Sequence, residues 1–256
     1  MKISSLIALL VLFALSSSTF ADTPKPKLGP LATRLVDSHE YFQTHPAPDF
    51  WAMMPNYVSQ VWEGSCSVAS VAMVVNAARA HMKLTADDKL ATQQDLVAKV
   101  KGPVGNHSWA DAVGANGKIE GMLHGGVNLD ELAVVLRESL EQYGVKPVKI
   151  EVVHVDEINA ASKKKLHDAL VENEKSARDF IILNFNQKIY TGDAEAGHIS
   201  PIAAYDARKK SVLVMDVDRE WYDPYWVSEE TLIQGLATRD TSNSRNRGYI
   251  WVQVAQ

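Results

Sequence analysis

Gln60-Val-Trp-Glu-Gly-Ser-Cys66-Ser-Val-Ala-Ser-Val-Ala-Met-Val-Val-Asn76-Ala runs from a polar loop into a segment that is small and apolar on every side. From Ser67 to Ala80 only Asn76 and Arg79 interrupt that character, so the pattern predicts a buried helix rather than an amphipathic surface one. Cys66 stands at its N-terminal end and is the single cysteine of the chain. One thiol excludes an intramolecular disulfide and any multi-cysteine zinc or iron–sulfur site. A helix N-terminus offers partial positive charge and unpaired N–H groups, the setting that lowers the pKa of a catalytic thiol. The same position suits a buried structural cysteine, so the neighbouring residues must decide.

Gln60 lies six residues upstream of Cys66, where its side-chain amide could join the Cys66 backbone N–H as the second donor of an oxyanion hole. A general base for a thiol is most often a histidine, and the chain has eight. His39, His45, His81, His107, His124, His154 and His167 stand mostly in polar or glycine-rich contexts that suit surface imidazoles. His198 differs. It opens an apolar strand, Ile199 to Tyr205, after the turn-forming run Gly192 to Gly197. Asp206 to Lys210 then reads as a tight turn and Ser211 to Val217 as the returning strand. With Asp206 opposite Lys210, His198 faces Asp218 and Ser200 faces Asp216, all on one face because the strand period is two. Either aspartate could orient the imidazole. Cys, His and Asp in that chain order, with a Gln shortly before the Cys, is the papain-like arrangement.

Further out, Thr85 to Val100, Asn128 to Tyr143 behind an Asn cap, and Lys163 to Glu174 carry helical periodicity, while Gly102 to Gly126 reads as loop. Phe180 to Phe185, His198 to Tyr205, Val212 to Val217 and Tyr249 to Val254 are short β-rich runs. Helices precede strands, so the expected class is α+β, with the Cys66 helix packed on a C-terminal antiparallel sheet. The whole chain is 256 residues, 46% hydrophobic and 22% charged, the balance of one globular domain with a full core. A net charge of -5 with dispersed Lys and Arg provides no basic patch, so nucleic acid is not an expected partner.

Lys2, the apolar run Leu6 to Leu15 and the small residues up to Ala21 read as a cleaved signal peptide over residues 1–21, too short to span a bilayer. Residues 22–30, with three prolines, read as an extended linker before a fold starting at Leu31. The expected destination is secreted, in the periplasm, with no membrane association after cleavage. A free thiol in an oxidising compartment needs a reason to persist, and catalysis is one.

The Gln60 to Ala77 segment resembles the nucleophile helix of the phytochelatin synthase family. Gly197-His198-Ile-Ser200-Pro201-Ile-Ala-Ala-Tyr205, Met215-Asp216-Val-Asp-Arg219 and Tyr222-Asp-Pro224-Tyr-Trp226-Val227 resemble the family's second and third blocks, with the same internal spacing. Asp179-Phe180-Ile-Ile-Leu-Asn184-Phe185 and Arg247-Gly248-Tyr249 also match, which extends the likeness over nearly all of residues 31–256. The resemblance implies a papain-like cysteine proteinase fold and a thiol acyl transfer on glutathione. It assigns Cys66 as nucleophile, His198 as proton donor and acceptor, Asp216 as the acid that orients it, and Gln60 as an oxyanion donor. Arg219, Gly197 and Ser67 become substrate-binding candidates, with Arg219 suited to a carboxylate.

Two departures stand out. Ser67 follows the nucleophile where the family usually has Gly, and Gln187 stands where a basic residue is common. No cysteine-rich C-terminal region is present in the sequence. The short form resembles bacterial members, for which hydrolysis of glutathione is the expected main activity and transfer to a second glutathione the lesser. No cofactor is expected in the protein, and a heavy metal such as cadmium or zinc would enter as a thiolate complex with substrate. The resemblance also implies a homodimer. A broader cysteine peptidase or amidase, and a non-catalytic protein that binds glutathione or its metal complexes, are the alternative readings.

Overall fold

Asp179–Asn186 is buried along its whole length, and its side chains divide strictly by parity. Phe180 and Ile182 join one hydrophobic core, whereas Ile181, Leu183 and Phe185 join another. Such a strand must have cover on both faces, and period-two alternation puts one core on each side. In this computed structural model, which describes residues 27–102, 104–117, 125–193 and 195–255, that strand is central. The described residues form a sheet of β1 (Ala32–Arg34), β2 (Pro147–His154), β3 (Asp179–Asn186), β4 (Gly197–Asp206), β5 (Ser211–Val214), β6 (Tyr225–Ser228) and β7 (Gly248–Val254). The order is β1-β6-β5-β4-β3-β7-β2, with every neighbouring pair antiparallel.

Helices α1 (Tyr41–Thr44), α2 (Pro48–Met53), α3 (Cys66–Ala78), α4 (Gln93–Lys99), α5 (Trp109–Ala112) and α6 (Leu129–Gln142) contribute to the first core. Helices α7 (Ala160–Asn173), α8 (Gln187–Thr191) and α9 (Glu229–Leu236) contribute to the second. The class is therefore α+β, as the periodicity predicts, but with helices on both faces of the sheet. α3 is the innermost helix: every residue from Ser67 to Ala78 is buried. Its small side chains let it lie close against β4, and burying each of its valines stabilises the fold by roughly 1.5–3 kcal/mol.

Several boundaries differ from the sequence expectation for identifiable reasons. α7 starts at Ala160 rather than Lys163 because Asn159 and Ser162 form a reciprocal capping box. The helix expected over Thr85 to Val100 is confined to Gln93–Lys99, where Thr92 caps it by accepting from the Asp95 N–H. The expected loop Gly102 to Gly126 contains the short α5, and its residues 103 and 118–124 lie outside the described residues. The expected signal peptide and residues 22–26 also lie outside them. The remainder of the expected linker is docked: the Gly29 N–H donates to Thr191 O at 2.6 Å and Leu28 packs on the second core.

The β4–β5 hairpin departs from the expected register at its turn and returns to it beyond a bulge. Asp206 pairs with Ser211, not Lys210, and a bulge between Ile202 and Ala204 shifts the ladder by one residue. Beyond the bulge Ile202 pairs with Val214, and the Met215 N–H donates to Pro201 O at 2.9 Å. The strand then leaves the ladder, so Asp218 never comes to face His198 as a β-pair. His198 pairs instead with Phe185 of β3.

Candidate active site

The N-terminus of α3 is set by Ser65. Its hydroxyl accepts from the Trp62 N–H at 2.9 Å and donates to Trp62 O at 2.8 Å, so it fixes the preceding loop and does not cap the helix. The N–H groups of the first turn, Cys66 included, have no carbonyl to bond within the helix. One turn further on, the Ser70 hydroxyl donates to Ile199 O at 3.0 Å. That bond ties the nucleophile helix to the residue beside His198. Ser67 points elsewhere: its hydroxyl accepts from the Trp109 indole at 3.2 Å in the first core, away from the space where it could touch a substrate.

Cys66 and His198 line the same cavity, and the Cys66 side chain is among the groups that raise the His198 imidazole. The His198 Nε2–H donates to Asp216 Oδ1 at 2.8 Å, which leaves Nδ1 to face the sulfur. Burial alone would push the His198 imidazole down, but the charge of Asp216, its hydrogen bond and the Cys66 side chain outweigh that and hold it well above its ordinary value. Asp216 is fully buried, which raises a carboxyl. The opposing charge and bond of His198, the Asp218 N–H and the Tyr225 hydroxyl bring it below the usual range. The pair is thus ionised on both sides. Asp218 contributes to Asp216 through its backbone, the N–H donating to Oδ1 at 2.9 Å, and burial holds its own carboxyl above the usual range.

A cavity of about 350 Å³ opens at this pair, between the Glu63-Gly64 loop, the start of β4 and the loop that leads into β7. Cys66, Gly197, His198, Asp240 and Arg247 are among the residues that line it. At Gly197 a Cβ would lie 2.7 Å from the Arg247 Nη2, so any larger residue there would displace the guanidinium. The Arg247 guanidinium donates to Arg239 O, while its buried Nε has no hydrogen-bond partner. Burial lowers its pKa against the pull of Asp240, so a positive charge sits at the cavity wall without full compensation. A second cavity of about 550 Å³, between α7 and α9, contains neither Cys66 nor His198.

Of the expected substrate contacts and oxyanion donor, Arg219, Ser67 and Gln60 lie away from the cavity lining, as does Gln187. Arg219 stacks over the Tyr57 ring at 4.2 Å and donates to Tyr57 O at 3.1 Å, outside the cavity lining. Gln187 turns inward behind Asp216, where its Nε2 donates to Oδ2 at 3.3 Å. Gln60 does not line the cavity; its N–H donates to Val217 O at 2.8 Å, its Nε2 reaches Glu63 O only at 3.5 Å, and its buried Oε1 has no partner. Arg247 enters the sequence reading only within the matching block Arg247-Gly248-Tyr249, with no role assigned to it. The available signal was an arginine directly before a glycine at the start of the last β-rich run. Among the described residues, no group of three or more His, Cys, Asp or Glu side chains is arranged to hold a metal ion. Nor is any helix there long and apolar enough to cross a membrane.

Comparison with known proteins gives the chain's relatives. Over 56 residues, 22% of this chain and 12% of the relative, the sequence is 38% identical to glutathione gamma-glutamylcysteinyltransferase 2 of Arabidopsis thaliana. Over 92 residues, 36% of this chain and 19% of the relative, it is 29% identical to glutathione gamma-glutamylcysteinyltransferase 3 of Lotus japonicus. The glutathione gamma-glutamylcysteinyltransferase of Schizosaccharomyces pombe matches at 29% over 73 residues, 28% of this chain and 17% of the relative. The matched segments thus span less than a fifth of the length of each of these relatives. A family model described as phytochelatin synthase matches residues 38–249, which is most of the chain, and the chain therefore belongs to the phytochelatin synthase family.

Proposed function

We propose that this protein is a glutathione γ-glutamylcysteinyltransferase and hydrolase that works by thiol acyl transfer. The observation that carries the reading is Cys66 beside His198, itself bonded to Asp216, at a cavity that Arg247 also lines. A thiolate beside an imidazolium is a competent nucleophile with its proton donor already in place. Cys66 Sγ attacks the carbonyl carbon of the Cys–Gly amide, and the developing oxyanion is held by the Cys66 N–H and the loosely committed Gln60 amide. His198 gives its proton to the departing glycine amine, leaving a γ-Glu-Cys thioester on Cys66. Water, or the α-amine of a second glutathione, then attacks the thioester. The neutral His198 takes the attacker's proton, and Sγ leaves as thiolate. Asp216 holds the imidazole orientation through both halves.

Arg247 replaces Arg219 in this reading as the group for a substrate carboxylate. It faces the cavity with uncompensated charge, and a guanidinium matches a carboxylate in a two-bond fork. A cavity of about 350 Å³ suits a tripeptide more than an extended chain, which favours glutathione over a general peptidase substrate. The two-sided sheet with α3 against β4 supports a papain-like fold, and hydrolysis is the branch proposed to dominate. A heavy metal acts here as part of a thiolate-bound substrate. Export to the periplasm, a 21-residue signal peptide and a homodimer complete the proposal. The test is product analysis after incubation with glutathione, with and without cadmium. Free glycine and γ-Glu-Cys are expected from the wild type and not from Cys66→Ala, and glycine release by neither overturns the glutathione assignment.

A further inference from the structure

The carboxylate of Asp216 is held by donors on both oxygens, and the two sets differ in origin. Oδ1 receives the His198 Nε2–H at 2.8 Å and the Asp218 N–H at 2.9 Å. Oδ2 receives the Tyr225 hydroxyl at 2.8 Å from β6 and the Gln187 Nε2 at 3.3 Å from the first residue of α8. The backbone carbonyl of Asp216 accepts from the Tyr57 hydroxyl at 2.6 Å. A carboxylate is acceptor-only, so the Gln187 amide must turn its nitrogen inward, and its Oε1 is left buried without a partner. Such an orphan carries a cost, and the placement persists against it. The Gln187 N–H donates to Ala196 O at 2.9 Å, which closes the turn that feeds His198 into β4.

We propose that Gln187 is a positioning residue: with Tyr225 it pins the outer oxygen of Asp216, so that the inner oxygen stays aimed at His198. Its neutrality is part of the role. A cation at the same distance from Oδ2 would share the carboxylate's charge and weaken its hold on the imidazolium, whereas an amide supplies direction and leaves the charge to His198. The inference rests on the proposed acyl-transfer reading of this site, but its test does not depend on glutathione.

The experiment compares wild type, Gln187→Leu, Gln187→Lys and Tyr225→Phe by two readouts. The first is the titration midpoint of His198, followed by NMR on protein carrying ¹³C-labelled histidine, with the resonance identified by its loss in His198→Gln. The second is kcat and KM for glycine release from glutathione. Gln187→Leu is expected to lower kcat about tenfold with KM within about twofold, the usual size for losing one hydrogen bond to a buried charge. Gln187→Lys is expected to lower the His198 midpoint by about one unit or more. A merely structural residue would change thermal stability and leave the midpoint where it was. Wild-type midpoint and kcat in both Gln187 variants overturn the proposal. Where Gln187→Leu fails to fold, Tyr225→Phe decides through the same oxygen: reduced kcat at unchanged KM supports the proposal, and wild-type kcat overturns it. If the wild type itself releases no glycine, the glutathione reading fails while the titration comparison still judges Gln187.

Discussion

Replacing Asp216 by Asn separates orientation from charge at the buried pair. Four donors face the two carboxylate oxygens: the His198 Nε2–H, the Asp218 N–H, the Tyr225 hydroxyl and the Gln187 Nε2. Asn has one acceptor oxygen, so whichever way its amide turns, one pair of donors meets an NH2 group. With the oxygen kept toward His198, the Tyr225 hydroxyl can rotate to accept, but the Gln187 amide cannot without reversing. The larger loss is the charge. An ion pair about 4 Å apart is worth about 4 kcal/mol at an effective dielectric near 20. Part of this survives as a neutral hydrogen bond, which leaves a loss of about a hundredfold to a thousandfold in kcat/KM. Asp218→Asn keeps the backbone N–H that bonds Asp216, so its loss is expected to stay within about fivefold. Steady-state glycine release over a range of glutathione concentrations measures both variants. Equal losses, or a drop of less than tenfold in Asp216→Asn, refute the assignment of Asp216 as the orienting acid.

Three other outcomes follow from particular contacts. Gly197→Ala puts a Cβ against the Arg247 guanidinium, so KM for glutathione should rise at least severalfold while the thermal midpoint changes little; an unchanged KM argues against Arg247 as a substrate contact. Ser70→Ala removes the tie between α3 and β4 and leaves the Ile199 carbonyl short of its donor, at a cost of about 1–3 kcal/mol readable by urea unfolding; wild-type stability contradicts that bond's contribution. Glu174, pushed up to about 7 chiefly by burial despite the donors Tyr41 and the Tyr205 N–H, favours the fold while protonated. That stability is complete below the unfolded value near 4.5 and is lost as pH rises through about 7. Urea midpoints should therefore fall between pH 5 and 8 by more in the wild type than in Glu174→Gln, and parallel curves would show that Glu174 does not titrate in this range.

What the sequence makes legible depends on how local the cause is. α3 is plain because twelve consecutive buried residues leave a small, mostly apolar signature, and the cap of α6 is written in Asn128, whereas the Asn159 cap that starts α7 lies outside the pattern beginning at Lys163. β2 escapes because Lys149, Glu151 and His154 give it the look of a polar connection; it is an edge strand, with Val148 exposed. The bulge between Ile202 and Ala204 follows Pro201 and restores the offset expected from the sequence, and the chain leaving the ladder after Val214 then brings Asp216 rather than Asp218 to His198. Spacing alone leaves both aspartates open; the resemblance selects Asp216, and the geometry pairs that residue with His198. Arg247 and Gln187 are the harder cases. Each is an isolated polar residue whose place depends on which strands become neighbours: β7 beside β3 carries Arg247 toward Gly197, and the turn after β3 folds Gln187 behind Asp216. Arg219 shows the reverse, a residue whose motif suggests substrate and whose surroundings commit it to Tyr57.

The most direct measurement is acid quenching of the protein during turnover of glutathione, followed by mass spectrometry of the Cys66 peptide. A γ-Glu-Cys thioester on Cys66 is predicted within the first turnover, decaying as glycine-free product accumulates and absent from His198→Gln, whose imidazole can no longer pair with the thiol. Glycine release with an unmodified Cys66 at every time point, or the same adduct forming at the same rate without His198, would contradict the acyl-transfer account.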